Sequence, residues 1–291
     1  MFKASDVKEL REKTGAGMMD CKKALEACKG NMDNAIDWLR EKGIAKAAKK
    51  ESRIAAEGVT EAASNDNEAI IFEVNCETDF VTKNEKFHEL VKELREALMS
   101  AKCTNTEEAN EVKLSDGKTI AERIVEETAT IGEKISFRRF TLLTKKDDEN
   151  FGSYIHMGGK ISVLTLVSGA SVEVAKDVSM HAAAMRPEYV TKEQVPVERV
   201  EKEKKFLTEE AMAEGKPKEI AEKMVMGRIS KFFKEICLEE QDFVKDNGVT
   251  VAKFVSNNGG KIVDVIRFEV GEGMEKRQDN FAEEVAAQMN A

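Results

Sequence analysis

The spacing of apolar residues changes at Gly58, and this change restricts the kinds of fold that the chain can adopt. Before Gly58 the apolar residues recur every three or four positions, as they do on amphipathic helices. Residues 69–76 instead form an almost continuous apolar run that is typical of a buried strand, and strand runs and helical stripes alternate after it. The 291 residues are enough for two or three domains. The sequence therefore predicts an α+β fold.

Residues 1–45, here called the head, are predicted to form a small domain of three helices. Ser5 is a suitable N-cap for the first helix, which places Val7 and Leu10 on one face, and residues 14–17 provide its stop signal. A unit of this size buries little apolar surface. We therefore interpret the head as a partner-binding module rather than as the site of a reaction.

The second and third helices of the head follow directly. Met18 and Met19 begin the second apolar stripe, which continues at helical spacing. The third helix is expected to begin at Asn31 or Asp33 and to end at Gly43, because glycine is a common helix stop signal.

A strand, a short polar gap and a long helix come next. The helix carries an apolar stripe at helical spacing, made by Phe87, Leu90, Val91, Leu94 and Leu98. Thr82 and Glu85 have the spacing of a capping box, which predicts where this helix begins. The gap between strand and helix, residues 77–81, is called the corner below.

A second strand, turn and helix repeat this pattern at residues 160–185, which predicts a second α+β subdomain related to the first. Residues 187–240 instead contain two helical stripes separated by a break at 215–217, which predicts an antiparallel helical hairpin. Lys204 falls at a seam position between the two helices. The hairpin is therefore either weakly packed or binds another molecule with its apolar stripe, and that molecule could be a second copy of the chain.

These patterns divide the whole chain. The predicted units are the three-helix head (1–45), a linker (46–57), a first core subdomain (58–144), a second core subdomain (145–186 and 241–271), the inserted hairpin (187–240) and a C-terminal helical module (272–291).

Residues with catalytic or ligand-binding chemistry are few. The three histidines, His88, His156 and His181, are far apart in the sequence, and the five cysteines include no C-x-x-C pair. The chain has no phosphate-binding loop of the G-x-x-x-x-G-K-[ST] type. We therefore expect no catalytic residue, cofactor or metal. A thiol enzyme acting through Cys76 is a weaker alternative, because the next basic residue is Lys83.

The corner has two interpretations. Phe80 beside Asp79 has the composition of a wedge, in which the ring separates a partner's side chains and the carboxylate competes for or repels groups near a bound cation. Alternatively the corner is only a helix entry, in which Phe80 or Val81 packs inward and Asp79 satisfies backbone donors.

His181 also has two interpretations. It lies among small residues at 180–185, where a lone ring can press closely on a flat partner surface. A histidine whose hydrogen bonds are satisfied inside the core is equally consistent with this pattern. The sequence leaves both open.

Charge is distributed unevenly along the chain. The whole chain carries a formal net charge of −9, whereas residues 1–53 hold 13 basic and 9 acidic side chains. A nucleic-acid-associated protein is therefore an alternative, and it would use Lys46, Lys49, Lys50 and Arg53. Dedicated binders usually concentrate more positive charge on one face, so we expect no direct contact with nucleic acid.

The expected location is the cytoplasm. The longest apolar stretch, residues 161–167, is much shorter than the ~18–20 residues that span a bilayer. The N-terminal residues include acidic side chains and no apolar signal region, so we expect neither membrane insertion nor export, and we expect reduced cysteines.

Five separated blocks of sequence are distinctive. They are VKELREKTGAGMMDCKKAL at 7–25, VNCETDFV at 74–81, MHAAA at 180–184, KPKEIAEKMV at 216–225 and FEVGEG at 268–273. In this order they resemble the bacterial elongation factor Ts family. The resemblance implies a ubiquitin-associated-like head, a core of two related α+β subdomains, an inserted coiled-coil hairpin and a C-terminal helical module.

The resemblance also implies a function, which is guanine-nucleotide exchange on elongation factor Tu. The chain would bind the GDP-bound and nucleotide-free forms of this partner and release GDP, so that GTP can rebind. By motif, Thr78, Asp79, Phe80 and Val81 would enter the partner's nucleotide domain and displace Mg²⁺. The head and the C-terminal module would dock on that same domain, and the second subdomain would grip another.

Further candidate contacts implied in this way are Val7, Leu10, Met18, Met19, His181 and Ala182. Glu77 stands where members of the family can carry a neutral glutamine. It is therefore expected to add a negative charge beside residues 78–81.

Overall fold

A computed structural model of the chain describes residues 2–215 and 217–275, and it has the α+β architecture expected from the sequence. A group of helices at the N-terminus precedes two antiparallel sheets of three strands each. Lys216, in the predicted hairpin, lies outside the described residues. Residues 276–291, which make up most of the predicted C-terminal module, also lie outside them. Within the described ranges no helix is long and apolar enough to cross a membrane.

Three helices build the head, namely α1 (Ala4–Thr14), α2 (Met18–Ala27) and α3 (Met32–Ala48), and α3 continues into the predicted linker (46–57) as far as Ala48. They share a buried core that consists of Val7, Leu10, Cys21, Ala24, Leu25 and Ala35. The N-cap of α1 is Lys3 rather than the predicted Ser5. Of the two predicted starts of α3, Asn31 and Asp33, the structure has Asn31 as the N-cap, and its side chain accepts a hydrogen bond from the amide of Asn34 at 2.9 Å.

The prediction that α3 ends at Gly43 is wrong, because α3 continues to Ala48 and packs along α6 (Ile120–Ile131) of the first subdomain. A Cβ atom at position 43 would lie 3.2 Å from the Cβ atom of Ala129 in α6. Gly43 therefore permits two helices to approach closely and does not terminate one of them.

The first subdomain is a sheet covered by helices. Its strands are β1 (Glu57–Ser64), β2 (Glu68–Cys76) and β3 (Ser136–Thr144), in the order β1-β2-β3. Its helices are α4 (Glu85–Ser100), α5 (Thr106–Asn110) and α6 (Ile120–Ile131). The predicted apolar stripe of α4 is buried, and α4 packs on β1 and β2.

The second subdomain has the same plan. Its strands are β4 (Glu149–His156), β5 (Ile161–Ser168) and β8 (Lys261–Glu269), in the order β4-β5-β8, and α7 (Val172–Met185) packs on β4 and β5. A small strand pair, β6 (Asp242–Phe243) and β7 (Asp246–Thr250), and α10 (Val251–Asn257) complete it. In each subdomain the central strand is followed by a long helix. The sequence predicts a surface turn at residues 145–150 and no strand there, whereas β4 begins inside that range at Glu149.

The inserted hairpin consists of α8 (Val197–Ala213) and α9 (Lys218–Ile236). Arg228 of α9 pairs with Glu210 of α8 at 2.8 Å and with Glu214, the residue just after α8, at 3.2 Å. Lys204 is half-buried, and its ammonium pairs with Glu201 on the same helix at 2.7 Å.

The central strand of the first sheet is buried on both faces. Ile70, Phe72 and Val74 face the core under α4, whereas Ala69 and Ile71 pack against the second sheet. Every residue of β2 after its first is buried. Strand β2 of the first sheet is therefore packed between α4 on one face and the second sheet on the other. The corner begins where β2 ends.

We expect Gly152→Ala to destabilise the protein, because a Cβ atom on β4 at this position would overlap the backbone of Ala175 and Lys176 in α7. Overpacking of this kind typically costs about 1–3 kcal/mol or more. Urea unfolding followed by circular dichroism measures the change. Gly227→Ala in α9 is the matched control, since no atom lies within 4 Å of its Cβ position and alanine there should add about 0.5–1 kcal/mol. Equal effects of the two substitutions would contradict the close approach of β4 and α7.

Candidate functional site

The corner connects the end of β2 to the start of α4. A 3-10 turn at Val81–Lys83 follows, and α4 begins at Glu85. The Asn84 side chain caps α4 by accepting a hydrogen bond from a first-turn amide at 2.9 Å, so the predicted capping box of Thr82 and Glu85 is wrong. Thr82 lies in the turn before the helix, where its hydroxyl donates to the carbonyl oxygen of Asp79 at 2.7 Å.

Phe80 and Val81 face opposite sides of the corner. Val81 is 7% exposed and packs in the core of the first subdomain. Phe80 is 77% exposed, which is more than any other large apolar side chain in the described part of the chain. Large aromatic side chains carry much of the binding energy at protein interfaces. The corner therefore combines an inward anchor with an outward ring.

Hydrogen bonds hold the backbone on both sides of Phe80. The amide and the hydroxyl of Thr78 donate to the two carboxylate oxygens of Glu133, at 2.9 and 2.7 Å. On the other side, the amide of Lys83 donates to the carbonyl oxygen of Phe80 at 3.1 Å. The ring therefore projects from a backbone of defined conformation.

Asp79 and Phe80 share one cationic neighbour. The ammonium group of Lys83 donates to the Asp79 carboxylate at 3.0 Å and lies 5.7 Å from the centre of the Phe80 ring. The hydrogen bond from Lys83 holds the pKa of Asp79 below its usual value, so this exposed carboxylate is ionised at neutral pH. Asp79 therefore has a side-chain partner, whereas the inward packing of Val81 agrees with the helix-entry interpretation.

Glu77 faces the protein and not the solvent beside the corner. Its side chain is 13% exposed, and its carboxylate accepts hydrogen bonds from the amide of Lys134 at 2.6 Å and from the Arg53 guanidinium at 3.2 Å. The negative charge that this residue adds is therefore directed at Arg53. The expectation that it acts beside the corner needs this correction.

The head presents only some of its candidate contact residues. Met18 and Met19, at the start of α2, are 56% and 63% exposed. Val7 and Leu10 are buried in the head's own core, because they form the inward face of α1. The expectation that Val7 and Leu10 contact the partner directly is therefore corrected, because both residues pack inside the head.

His181 and Ala182 are fully buried in the second subdomain. Nδ1 of His181 accepts a hydrogen bond from the amide of Val244 at 3.2 Å, so the ring proton lies on Nε2, which donates to Gln241 Oε1 at 3.0 Å. Burial lowers the pKa of His181 and keeps the ring neutral. Of the two interpretations of His181, the structure favours the satisfied core histidine, and its role as a contact is corrected.

Cys76 lacks the surroundings of a catalytic thiol. Its thiol is buried and donates to the carbonyl oxygen of Thr78 at 3.2 Å, and burial raises its pKa to about 12. A thiol with this pKa holds almost no thiolate at neutral pH. The residues that the structure describes also contain no group of three or more His, Cys, Asp or Glu side chains able to hold a metal ion.

Met157 is a surface residue that sequence reasoning missed. It is 74% exposed and has a positive φ of 48° in the turn between β4 and β5. The amide of Thr60 donates to the carbonyl oxygen of Gly159 at 2.6 Å, and Lys160 pairs with Glu57, which lies beside the end of β2. The two glycines that follow Met157 predict a turn, but no sequence pattern shows which side chain a turn exposes.

The corner is also where a match with known proteins begins. The family model described as elongation factor TS matches residues 77–272, a range that includes the corner, the second sheet and the hairpin. The chain belongs to the elongation factor Ts family. The match covers more than half of the chain and confirms the family resemblance, although the first sequence block, at 7–25, lies outside the matched range. Membership of this family indicates a nucleotide exchange factor for elongation factor Tu in translation elongation.

We expect His181 to make stability depend on pH. Because the folded-state pKa of His181 lies below its unfolded value of about 6.5, the unfolded chain binds this proton more tightly. The contribution is complete above that unfolded value and is lost as the pH falls below it. His181→Gln should therefore show a smaller loss of unfolding free energy between about pH 7 and about pH 5.5 than the wild type. Urea unfolding at each pH measures both, and parallel pH profiles would show that His181 does not titrate in this way.

Proposed function

We propose that the chain releases GDP from elongation factor Tu by inserting Phe80 into the partner's nucleotide domain, next to the Mg²⁺ and phosphate site. The observation that carries this proposal is the 77% exposure of Phe80 on a backbone held on both sides. Release of GDP produces the nucleotide-free partner, to which GTP rebinds. The chain contributes contacts and needs no cofactor of its own.

Tight binding alone does not release a nucleotide. The exchange factor and GDP must each weaken the other's hold on the partner, and this penalty is reciprocal. Mg²⁺ neutralises much of the charge of the diphosphate, so its displacement removes a large part of the electrostatic attraction that retains GDP. In the proposed mechanism, the Phe80 ring separates packed side chains and the Asp79 carboxylate competes for or repels groups near the cation.

Residues 78–81 of the corner have different roles in this mechanism. Phe80 and Asp79 are exposed and make contact with the partner. Val81 is buried and Thr78 is bonded to Glu133, so these two residues support the backbone. The support matters because a ring that is already fixed loses little conformational entropy when it binds.

Other surfaces of the chain contribute to docking in this proposal. Met18 and Met19 are the exposed apolar residues with which the head contacts the partner's nucleotide domain. The C-terminal module at 272–291 docks on the same domain, and the second subdomain grips a different one. The exposed Met157, whose turn is tied to β1, is a suitable contact residue beside the corner.

The basic residues between head and core support this proposal over one based on nucleic acid. Lys46 pairs with Asp20 at 2.7 Å, Lys50 donates to the carbonyl oxygen of Gly132, and Arg53 pairs with Glu77. Three of the four side chains of the nucleic-acid alternative therefore have partners within the chain. A phosphate backbone would have to compete with those partners.

We expect Phe80→Ala combined with Asp79→Ala to slow the release of fluorescent GDP from purified elongation factor Tu by about tenfold or more, because a central aromatic residue at an interface commonly contributes at least this much. Stopped-flow fluorescence measures the rate. Both side chains are exposed, so circular dichroism and the unfolding midpoint should be unchanged.

The matched control is Phe206→Ala, which removes another exposed phenylalanine (60%) on the hairpin. It should release GDP at the wild-type rate. If the corner variant also releases GDP at the wild-type rate, the proposed role of Phe80 is wrong.

Self-association through the hairpin stays a prediction, and the exposed Val197, Phe206 and Met226 are its apolar candidates. We expect Phe206→Glu to weaken any self-association by about tenfold, because a charge at an apolar interface is costly. Sedimentation velocity over a concentration series measures it. A wild-type chain that stays monomeric throughout would rule the prediction out.

A further inference from the structure

Three stretches of the chain meet beneath the corner. The first is the connecting segment (residues 49–56) between α3 and β1, the second is the pair Glu77 and Thr78, and the third is the loop 132–134 between α6 and β3. The hydrogen bonds and ion pairs among these stretches join residues that are far apart in the sequence. They place the exit of the head directly against the base of the corner.

Lys134 links the loop to both other stretches. Its ammonium group donates to the carbonyl oxygens of Glu51 (2.5 Å) and Arg53 (3.1 Å) in the connecting segment. Its amide donates to the Glu77 carboxylate at 2.6 Å. A single residue therefore binds the connecting segment with its side chain and the corner with its backbone.

Arg53 and Glu77 close this arrangement. The Arg53 guanidinium lies 3.2 and 3.3 Å from the two carboxylate oxygens of Glu77. The next residue, Thr78, is bonded to Glu133 of the same loop. The connecting segment, the loop and the corner thus form one closed set of contacts that ends two residues before Phe80.

The connecting segment has no helix or strand of its own. Such a segment would otherwise allow its ends to move independently, because each unrestrained residue keeps its backbone freedom. Here its carbonyl groups and Arg53 are bound to the base of the corner. A change in the position of this segment must therefore move Glu77 or break these contacts.

We propose that Arg53 and Glu77 are positioning residues for nucleotide exchange: their pair fixes the Phe80 corner to the segment through which the head is attached. This proposal rests on the proposed role of Phe80. It predicts that docking of the head and insertion of the ring occur in one fixed geometry. Neither Arg53 nor Glu77 has to touch the partner.

The test compares Arg53→Ala, Glu77→Gln and the double variant in fluorescent GDP release from elongation factor Tu. Glutamine retains an acceptor for the Lys134 amide and loses only the charge that faces Arg53. At a saturating concentration of the factor we expect each single variant to release GDP about threefold more slowly, the size of effect that a partly exposed ion pair produces. The double variant should be no slower than either single variant, because both remove the same pair.

Two controls separate positioning from general stability. Arg53→Lys keeps a cation and should recover most of the rate. Arg40→Ala removes a different ion pair between head and core, Arg40–Glu122 at 3.3 Å, and should leave the rate unchanged. A wild-type rate for Arg53→Ala, or losses that multiply in the double variant, would overturn the proposal.

A second measurement does not depend on the partner. Hydrogen exchange of the free chain reports the amides of Thr78 and Lys134, which are bonded to Glu133 and Glu77. We expect both amides to exchange several-fold faster in Arg53→Ala and at the wild-type rate in Arg40→Ala. If Phe80→Ala does not slow GDP release, the proposed function fails. The amide rates still decide whether Arg53 fixes the corner, and unchanged rates overturn that claim.

Discussion

The structure depends on one strand, β2, which is buried on both faces between α4 and the second sheet. Burial on both faces brings Glu73 into the interface of the two sheets, where it is fully buried. Its carboxylate pairs with Arg138 (3.0 Å) and Arg139 (2.6 Å) and accepts a hydrogen bond from the amide of Gly271 (2.8 Å). A buried carboxylate without such partners would strongly destabilise the fold. Glu73 therefore joins the two subdomains and the end of the described chain at one point.

The position of the corner follows from this strand. A strand that is covered on both faces cannot shift its register without exposing apolar residues or stranding Glu73. The residue that follows its last position is Glu77, so the corner starts from the least adjustable part of the molecule. Val81 then returns to the core of the first subdomain. Residues 77–80 connect these two buried points, and within this short connection the side chain of Phe80 faces outward.

The long elements could be predicted from the sequence because their apolar residues repeat over several turns or positions, as in α4 and β2. Strand β4 could not, because Gly152 and Ser153 interrupt its alternation and its burial depends on α7. Within the corner, no repeating pattern distinguishes Phe80 from Val81, since a turn has no period. The pairing of Arg53 with Glu77 joins positions 24 residues apart, and only the folded chain brings them together. Sequence reasoning therefore named candidate residues for the site but could not give the directions of their side chains.

A preformed corner also explains how binding energy could be directed at the nucleotide. A flexible loop with the same residues would have to become ordered on binding, and that cost would reduce affinity for every state of the partner. A fixed ring instead fits some conformations of the partner better than others, and only such a difference shifts an equilibrium. If the fixed ring fits best to the conformation in which the Mg²⁺ site is disturbed, then binding of this chain shifts the partner toward that conformation. The partner then binds GDP more weakly. In the proposed mechanism, the bonds from Glu133, Lys134 and Arg53 beneath the corner support exchange indirectly, because they hold the backbone that carries the exposed ring.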